Sequence, residues 1–314
     1  MVKRKLNVKR VVIAVLIFII LVLILVYFAL NRIKMINSIE YKLSLNGFSE
    51  SEIEILKNVL SEEELNDFYL KKYDNTVIDY VKADHFMYDK LEDYLNYNNK
   101  KTNYSTDKIV TIVNVHADEE DYENVNYVNT ELGSLILVNK NNVLDSDFVP
   151  NNIIDVEESY AYKGVSISED VYNAFLKLLE SAKNSGYTLV ASSGYRSYEE
   201  QEKVYNEYKS LYGRYEADKL VAHPGCSDHQ TGLAIEIEPF DKAPEDIEAN
   251  EEYNWLINNA YKFGFIQRYP KDKEYITKFD YEPWHFRYVG LDAAYKMHNE
   301  NLTLEEYYYY YVVN

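Results

Sequence analysis

Ser227-Asp228-His229, running through Gln230-Thr231-Gly232-Leu233-Ala234-Ile235 to Glu236, and the later Glu282-Pro283-Trp284-His285 are the stretches whose reading decides this chain. Together they offer two imidazoles, His229 and His285, and, besides Asp228, the two carboxylates Glu236 and Glu282. A catalytic zinc ion takes three protein ligands, keeps one position open for water and usually has a base beside it. In this reading His229, Glu236 and His285 are the ligands of one zinc per chain, and Glu282 is the base. Each residue alone has a plainer account. A lone His before a strand is usually structural, a Glu in an Ile-Glu-Ile-Glu run usually faces solvent, and Glu282 with His285 could flank an ordinary turn. Their joint occurrence favours the metal site.

The surrounding pattern places these residues on regular elements. Thr231 to Glu238 alternates as a strand, with Gly232, Ala234, Glu236 and Glu238 on one face. Tyr187 to Ser192 is a short apolar strand, and Ser197-Tyr198-Glu199-Glu200 is a capping box that opens a helix running to about Leu211. Arg196 therefore falls between a strand end and a helix cap, on a rigid rim. A guanidinium there can fork onto a carboxylate or stabilise charge on a carbonyl oxygen. Ser168 to Ser185 reads as an amphipathic helix with Val171, Phe175, Leu178, Leu179 and Ala182 inward, closed by Gly186. Leu135-Ile136-Leu137-Val138 reads as a strand, and Tyr253 to Phe263 as a helix stopped by Gly264. Strands that do not alternate regularly with helices make the fold class α+β.

Val11 to Leu30 is an uncharged apolar run, long enough to cross a bilayer as a helix. Lys3, Arg4, Lys5, Lys9 and Arg10 precede it, so the N-terminus is expected in the cytoplasm and the rest outside a single-pass anchor. The run ends Val26-Tyr27-Phe28-Ala29-Leu30-Asn31, a poor site for signal-peptide cleavage. The first 34 residues hold seven basic residues and no acid, leaving 26 basic against 52 acidic residues in the remainder. So acidic a body excludes nucleic-acid binding through its general field. Cys226 is the sole cysteine, so no intramolecular disulfide forms, which suits a bacterial cell surface.

Between anchor and site lies a helical region. Ser49 to Ser61 presents Ile53, Leu56, Val59 and Leu60, and Ser61-Glu62-Glu63-Glu64 caps a helix striped by Leu65, Phe68 and Tyr69. Further helical pattern runs from about Thr76 to Tyr97. The expected divisions are residues 1–35 for tip and anchor, 36–130 for a helical stalk or accessory region, and 131–314 for a catalytic domain. His85 and His116 read as surface or structural residues, His223 as structural, and Cys226 as a small buried side chain. The Tyr307 to Tyr311 run reads as a packed C-terminal helix end.

The motifs also match a known family. Ser-x-His, Gly-x-Ala beginning three residues after the His, and an acid at Glu236 resemble the VanY-type D-alanyl-D-alanine carboxypeptidases. Glu282-Pro-Trp-His-Phe-Arg-Tyr-Val-Gly290 resembles that family's later motif, and Ser193-Gly194-Tyr195-Arg196-Ser197-Tyr198 with Gln201 its earlier one. Leu137-Val138-Asn139-Lys140 looks like the start of the domain, and the likeness covers about residues 133–305. The resemblance implies a D,D-peptidase/Hedgehog-like zinc peptidase fold, a small antiparallel sheet flanked by helices. It implies a zinc enzyme trimming peptidoglycan stem peptides that end in D-alanine, at a bacterial cell membrane. His229, Glu236 and His285 would hold the zinc and Glu282 would act as base. Arg196 would lie at the substrate, with Gln201, Ser227, Tyr195 and Trp284 shaping the pocket. The family normally carries Asp where this chain has Glu236. If the longer carboxylate does not serve, Glu238 or Asp241 could replace it, or the protein is a non-catalytic peptidoglycan-binding relative. An L,D-carboxypeptidase acting on tetrapeptides, and a surface protein whose stalk holds a partner, are the other readings.

Overall fold

The computed structural model describes residues 8–100, 103–240 and 250–313. The chain divides into two compact units, one of Met1–Asn96 with Thr102–Val110, the other of Tyr97–Lys101 with Thr111–Asn314.

The first unit is helical. Helix α1 (Val8–Asn37) carries the apolar run, and its stretch Lys9–Asn37 is long and apolar enough to cross a membrane. Helices α2 (Ile39–Leu45), α3 (Glu50–Val59) and α4 (Glu62–Lys71) follow, the last two opened by complete capping boxes at Ser49/Glu52 and Ser61/Glu64. Leu43, Leu56 and Phe68 are fully buried in this unit, but Val59 is exposed. The expected helix from Thr76 to Tyr97 is broken into α5 (Ile78–Val81) and α6 (Leu91–Lys100). His85, in the left-handed region at φ 59°, stands between them, a conformation no α-helix continues through. Helix α7 (Thr106–Asn114) closes the series.

The second unit is α+β. Two short pairs come first, β1 (Asn126–Tyr127) with β2 (Asn142–Val143) in parallel, and β3 (Ile153–Asp155) with β4 (Ser166–Ser168) antiparallel. The main sheet holds β5 (Leu189–Ser193), β6 (Ala234–Pro239), β7 (Phe265–Tyr269) and β8 (Glu282–Tyr288). Its order is β5-β6-β8-β7, and every neighbouring pair is antiparallel. Helices α8 (Glu169–Asn184), α9 (Tyr198–Tyr212), α10 (Arg214–Leu220), α11 (Glu251–Asn259), α12 (Glu274–Thr277), α13 (Leu291–Glu300) and α14 (Leu304–Tyr307) complete the unit. Helix α8 buries Val171, Phe175, Leu178 and Ala182 on a core with Ile235 and Ile237 of β6 and Phe286 of β8. One face of β6 is thus spent on the core, and the opposite face presents Glu236 and Glu238.

The expected strand at Leu135–Val138 does not form. A 3-10 helix covers Thr130–Leu135, and Ile136, Leu137 and Val138 are buried without a strand neighbour. The carbonyls of Ile136 and Val138 accept from side chains instead. Arg287 donates to the oxygens of Ser134 and Ile136, and Arg268 to that of Val138. A buried carbonyl needs a donor, and a guanidinium serves as well as a ladder. The tyrosine run continues α14 as a π-helix over Tyr308–Val312, with Tyr307, Tyr308 and Tyr309 packed on Met297 and Leu304.

Candidate metal centre and substrate cleft

Two local irregularities aim the side chains. Between β7 and β8, Gln267 pairs with Phe286 and Tyr269 with Glu282. The chain thus advances two residues on β7 against four on β8, a bulge that contains Pro283. In a regular strand Glu282 and His285, three apart, would point to opposite faces. The bulge turns them together, and His285 Nδ1 lies 2.9 Å from Glu282 Oε2. Proline has no N–H for a ladder, so a bulge is where a strand tolerates it. On the other side of the sheet, β5 shifts register between Ala191 and Ser193, opposite Glu236.

His229 sits on a 3-10 turn, Asp228–Thr231, and its backbone N–H is capped by Ser227 Oγ. Its Nδ1 is 2.6 Å from the carbonyl oxygen of Gly194. A carbonyl only accepts, so Nδ1 carries the proton and Nε2 is left with a lone pair. Gly194 is required there, because a Cβ would meet the Ser166 carbonyl oxygen at 2.3 Å. His229 Nε2 then faces Glu236 Oε1 at 3.3 Å. Burial pushes the His229 pKa down further than the Glu236 contact raises it, so the ring favours the neutral state. Burial also pushes the Glu236 carboxyl up, but positive charge around it, Arg196 included, outweighs this and holds it below the usual range, so it is a carboxylate. A neutral imidazole lone pair and a carboxylate oxygen so opposed repel one another unless a cation lies between them.

The geometry suits such a cation. One donor atom each from His229, Glu236 and His285 lie within 4.8 Å of one another. Adjacent corners of a tetrahedral shell with bonds of about 2.1 Å are about 3.4 Å apart, close to the 3.3 Å between His229 and Glu236. Two buried imidazoles and one carboxylate are a donor set that zinc takes. Glu238 is not part of this cluster, and Asp241 lies outside the described residues.

Arg196 follows β5 and is held from two sides. Its Nη1 donates to Gln201 Oε1 at 2.9 Å, while Gln201, buried, donates Nε2 to the carbonyl of Ala222 at 2.8 Å. The Arg196 backbone N–H donates to the His229 carbonyl, tying the guanidinium's base to the turn that carries His229. Arg196, Gln201, Ser227, His229, Glu236, Glu282, Trp284 and His285 all line one cleft of about 560 Å³. Trp284 also packs on the core behind it. Tyr195 is half-buried and does not line this cleft; its backbone N–H donates to Ser166. His223 pairs with Asp218 at 2.7 Å and stacks on Tyr122, and Cys226 is buried, both apart from the cleft wall.

Sequence reasoning passed over the charges behind the site. Asp228, fully buried, accepts from Arg287 at 2.5 Å and lies 3.3 Å from Arg268 Nε. Arg268 forks onto the buried Glu305 of α14 at 2.7 and 3.0 Å. Burial pushes the Asp228 carboxyl up, but Arg287 and Arg268 outweigh it and hold it below the usual range. Asp228 Oδ2 is 4.0 Å from His285 Nε2, and neither atom has a hydrogen-bond partner among the described residues. The only signal in the sequence was an acid next to a candidate ligand, with its arginines far away along the chain.

An α+β unit with a two-histidine, one-carboxylate centre beside a glutamate and an anchored arginine is the arrangement of a metallohydrolase. The chain belongs to the VanY D-alanyl-D-alanine carboxypeptidase family, whose model matches residues 164–291. It is 39% identical over 185 residues to a D-alanyl-D-alanine carboxypeptidase of Enterococcus faecalis, covering 55% of this chain and 65% of that one. It is 32% identical over 184 residues to VanXYC of Enterococcus gallinarum, a bifunctional D-Ala-D-Ala dipeptidase and carboxypeptidase, covering 57% of this chain and 95% of that protein. Among solved structures, that of the LD-carboxypeptidase LdcB superposes with a TM-score of 0.55 and 40% identity, over 60% of this chain and 92% of that one. The chain spans about two thirds of the length of the Enterococcus faecalis relative.

Proposed function

We propose that this protein is a membrane-anchored zinc carboxypeptidase that removes the terminal D-alanine from peptidoglycan stem peptides outside the cell. The observation that carries the reading is the opposition of the His229 lone pair and the Glu236 carboxylate at 3.3 Å, with His285 beside them. A bound zinc ion supplies a Lewis acid that acidifies water and polarises a carbonyl. Glu282, beside His285, takes the proton from the attacking water and returns it to the leaving amine. Arg196 meets negative charge, either the developing oxyanion or the terminal carboxylate, and Gln201 keeps it aimed. Ser227 shapes the turn that presents His229, and Trp284 walls the cleft. Residues 131–314 serve as the catalytic domain and 36–130 as its stalk. Helix α1, preceded by basic residues, supports an inside N-terminus.

The likeness to an LD-carboxypeptidase favours a second reading, removal of D-alanine from the tetrapeptide. One experiment tests both. The purified chain is assayed for metal content and for D-alanine release from penta- and tetrapeptide stems. One zinc per chain and chelator-sensitive release are expected, and the preferred stem sets the specificity. Glu282→Gln should retain the zinc and lose about 10²–10⁴-fold in turnover. A chain that holds zinc but releases nothing from either stem would overturn the peptidase reading.

A further inference from the structure

The two histidines of the metal centre are held unequally. His229 donates its Nδ1–H to the Gly194 carbonyl at 2.6 Å, which fixes both the ring and its tautomer. His285 is 4% exposed, and its Nε2 is buried without a hydrogen-bond partner among the described residues. Its Nδ1 lies 2.9 Å from Oε2 of Glu282, a residue that lines the cleft. The two nitrogens sit on different sides of the ring, so with Nδ1 turned to the cleft, Nε2 is turned to the interior. A neutral histidine that gives one nitrogen to a metal keeps its proton on the other, and that N–H calls for an acceptor.

An acceptor stands on that interior side. Asp228 Oδ2 is 4.0 Å from His285 Nε2, about 1 Å beyond a hydrogen bond. That oxygen too is buried and unbonded among the described residues, and a buried carboxylate oxygen left without a donor is costly. The arginines around Asp228 are arranged so that Oδ2 stays open. Arg287 gives Nη1 to Oδ1 and Nη2 to the carbonyls of Ser134 and Ile136. Arg268 forks Nη1 and Nη2 onto Glu305, and Nη2 also reaches the Val138 carbonyl. Its Nε lies 3.3 Å from Oδ2, yet forms no hydrogen bond among the described residues. Asp228 and Glu305 together balance the two guanidiniums in charge, while one lone pair of Asp228 remains free beside His285.

We propose that Asp228 is a positioning residue of the metal centre, accepting the Nε2–H of His285 when Nδ1 holds the metal, and that Glu305 keeps Asp228 available for this by occupying Arg268. This rests on the zinc reading of the site and adds what orients its second histidine. Asp228 precedes His229 on the same 3-10 turn, so one turn carries one ligand and steadies the other. A carboxylate behind a ligating imidazole fixes the ring and raises its basicity. Glu305 lies on α14, in the C-terminal segment, and its fork onto Arg268 is fully buried. Without that fork the Nη groups of Arg268 are free to turn to Oδ2 and compete with His285 for it.

The test uses the full-length chain with zinc as the probe, and it reads no hydrolysis. Affinity is measured by competition with a chromophoric chelator, and folding is checked by circular dichroism. Asp228→Asn should bind zinc roughly 10–100-fold more weakly than wild type. Glu305→Gln should be weakened in the same direction by a smaller factor. Asp121→Asn, which removes an ion-pair carboxylate outside this network, should stay within about twofold of wild type. A spectroscopic signature separates positioning from general destabilisation. In the zinc-loaded wild type labelled with 15N-histidine, the His285 ring proton should sit on Nε2 and be protected from exchange, and Asp228→Asn should lose that protection. Wild-type zinc affinity in Asp228→Asn or in Glu305→Gln, or a His285 whose Nε2 takes the metal, would overturn the proposal. Where a variant does not fold, the ring proton of the wild type decides alone. A chain that binds no zinc overturns the metal reading and the proposal together, whereas zinc held equally well by wild type and Asp228→Asn overturns the proposal alone.

Discussion

Shortening Glu236 to aspartate is the sharpest perturbation of this site. The VanY resemblance leads one to expect aspartate there, whereas this chain's geometry argues for glutamate. Glu236 Oε1 already stands 3.3 Å from His229 Nε2, close to the spacing between neighbouring ligands of a tetrahedral zinc. Glu236→Asp removes one methylene and withdraws the carboxylate by about 1.3 Å, most of a 1.5 Å carbon–carbon bond. Strand β6 cannot follow, because Glu236 is paired on one side with Ser193 and on the other with His285, itself a ligand in this reading. A zinc–oxygen bond of about 2.1 Å would stretch beyond about 3 Å and is lost. The expected result is a fall in zinc affinity of roughly a hundredfold or more, about 2.7 kcal/mol, with a matching fall in activity at limiting metal. Competition against a chromophoric chelator at neutral pH measures it directly. Zinc binding by Glu236→Asp as tight as wild type, or tighter, would refute the claim that β6 is set for the longer side chain. It would favour a natural protein that has drifted from catalysis towards peptidoglycan binding.

Three further outcomes follow from the same geometry. Arg196→Ala should lower kcat by about 10²–10³, and Gln201→Ala, which leaves the guanidinium unanchored, should show a smaller loss of the same kind; unchanged kinetics in Arg196→Ala would remove it from the chemistry. Asp228→Ala leaves Arg287 and Arg268 without their shared buried counter-charge and should cost about 3–5 kcal/mol, or roughly 6–20 °C in Tm for a unit of this size. A loss below about 1 kcal/mol on urea titration would show that the arginines do not depend on it. Asp121 is the pH prediction. Burial pushes its carboxyl up, but Lys140 and Lys278, at 3.0 and 2.9 Å, outweigh this and hold its pKa below the ordinary 3.8. Its folded pKa lies below its unfolded one, so its contribution is present above pH 3.8 and is lost as pH falls through the depressed value. Asp121→Asn should be less stable than wild type near neutrality and converge with it in acid. Parallel stability curves for the two down to pH 2 would contradict the pairing.

Much of this protein is determined locally and can be read from the chain. The capping boxes at Ser61/Glu64 and Ser197/Glu200 form where the side chains call for them, because a cap needs only its own turn. The amphipathic stripe of α8, the apolar length of α1 and the face shared by Glu236 and Glu238 follow equally from short-range periodicity. His229, Glu236 and His285 could be picked out as a candidate donor set, because few residue types can hold zinc, and the fold brings their donor atoms within 4.8 Å of one another. Tertiary structure decided the rest. Glu282 and His285 share a face only because pairing with β7 places a bulge at Pro283, and that register depends on residues distant in the chain. Leu135 to Val138 has a strand's composition but lacks a strand's neighbour, and its carbonyls go to arginines more than 120 residues away along the chain. The Asp228 network is invisible for the same reason. A buried charge is tolerable only beside its partners, and Arg287 and Arg268 meet Asp228, with Glu305 meeting Arg268, only once the sheet and α14 have assembled.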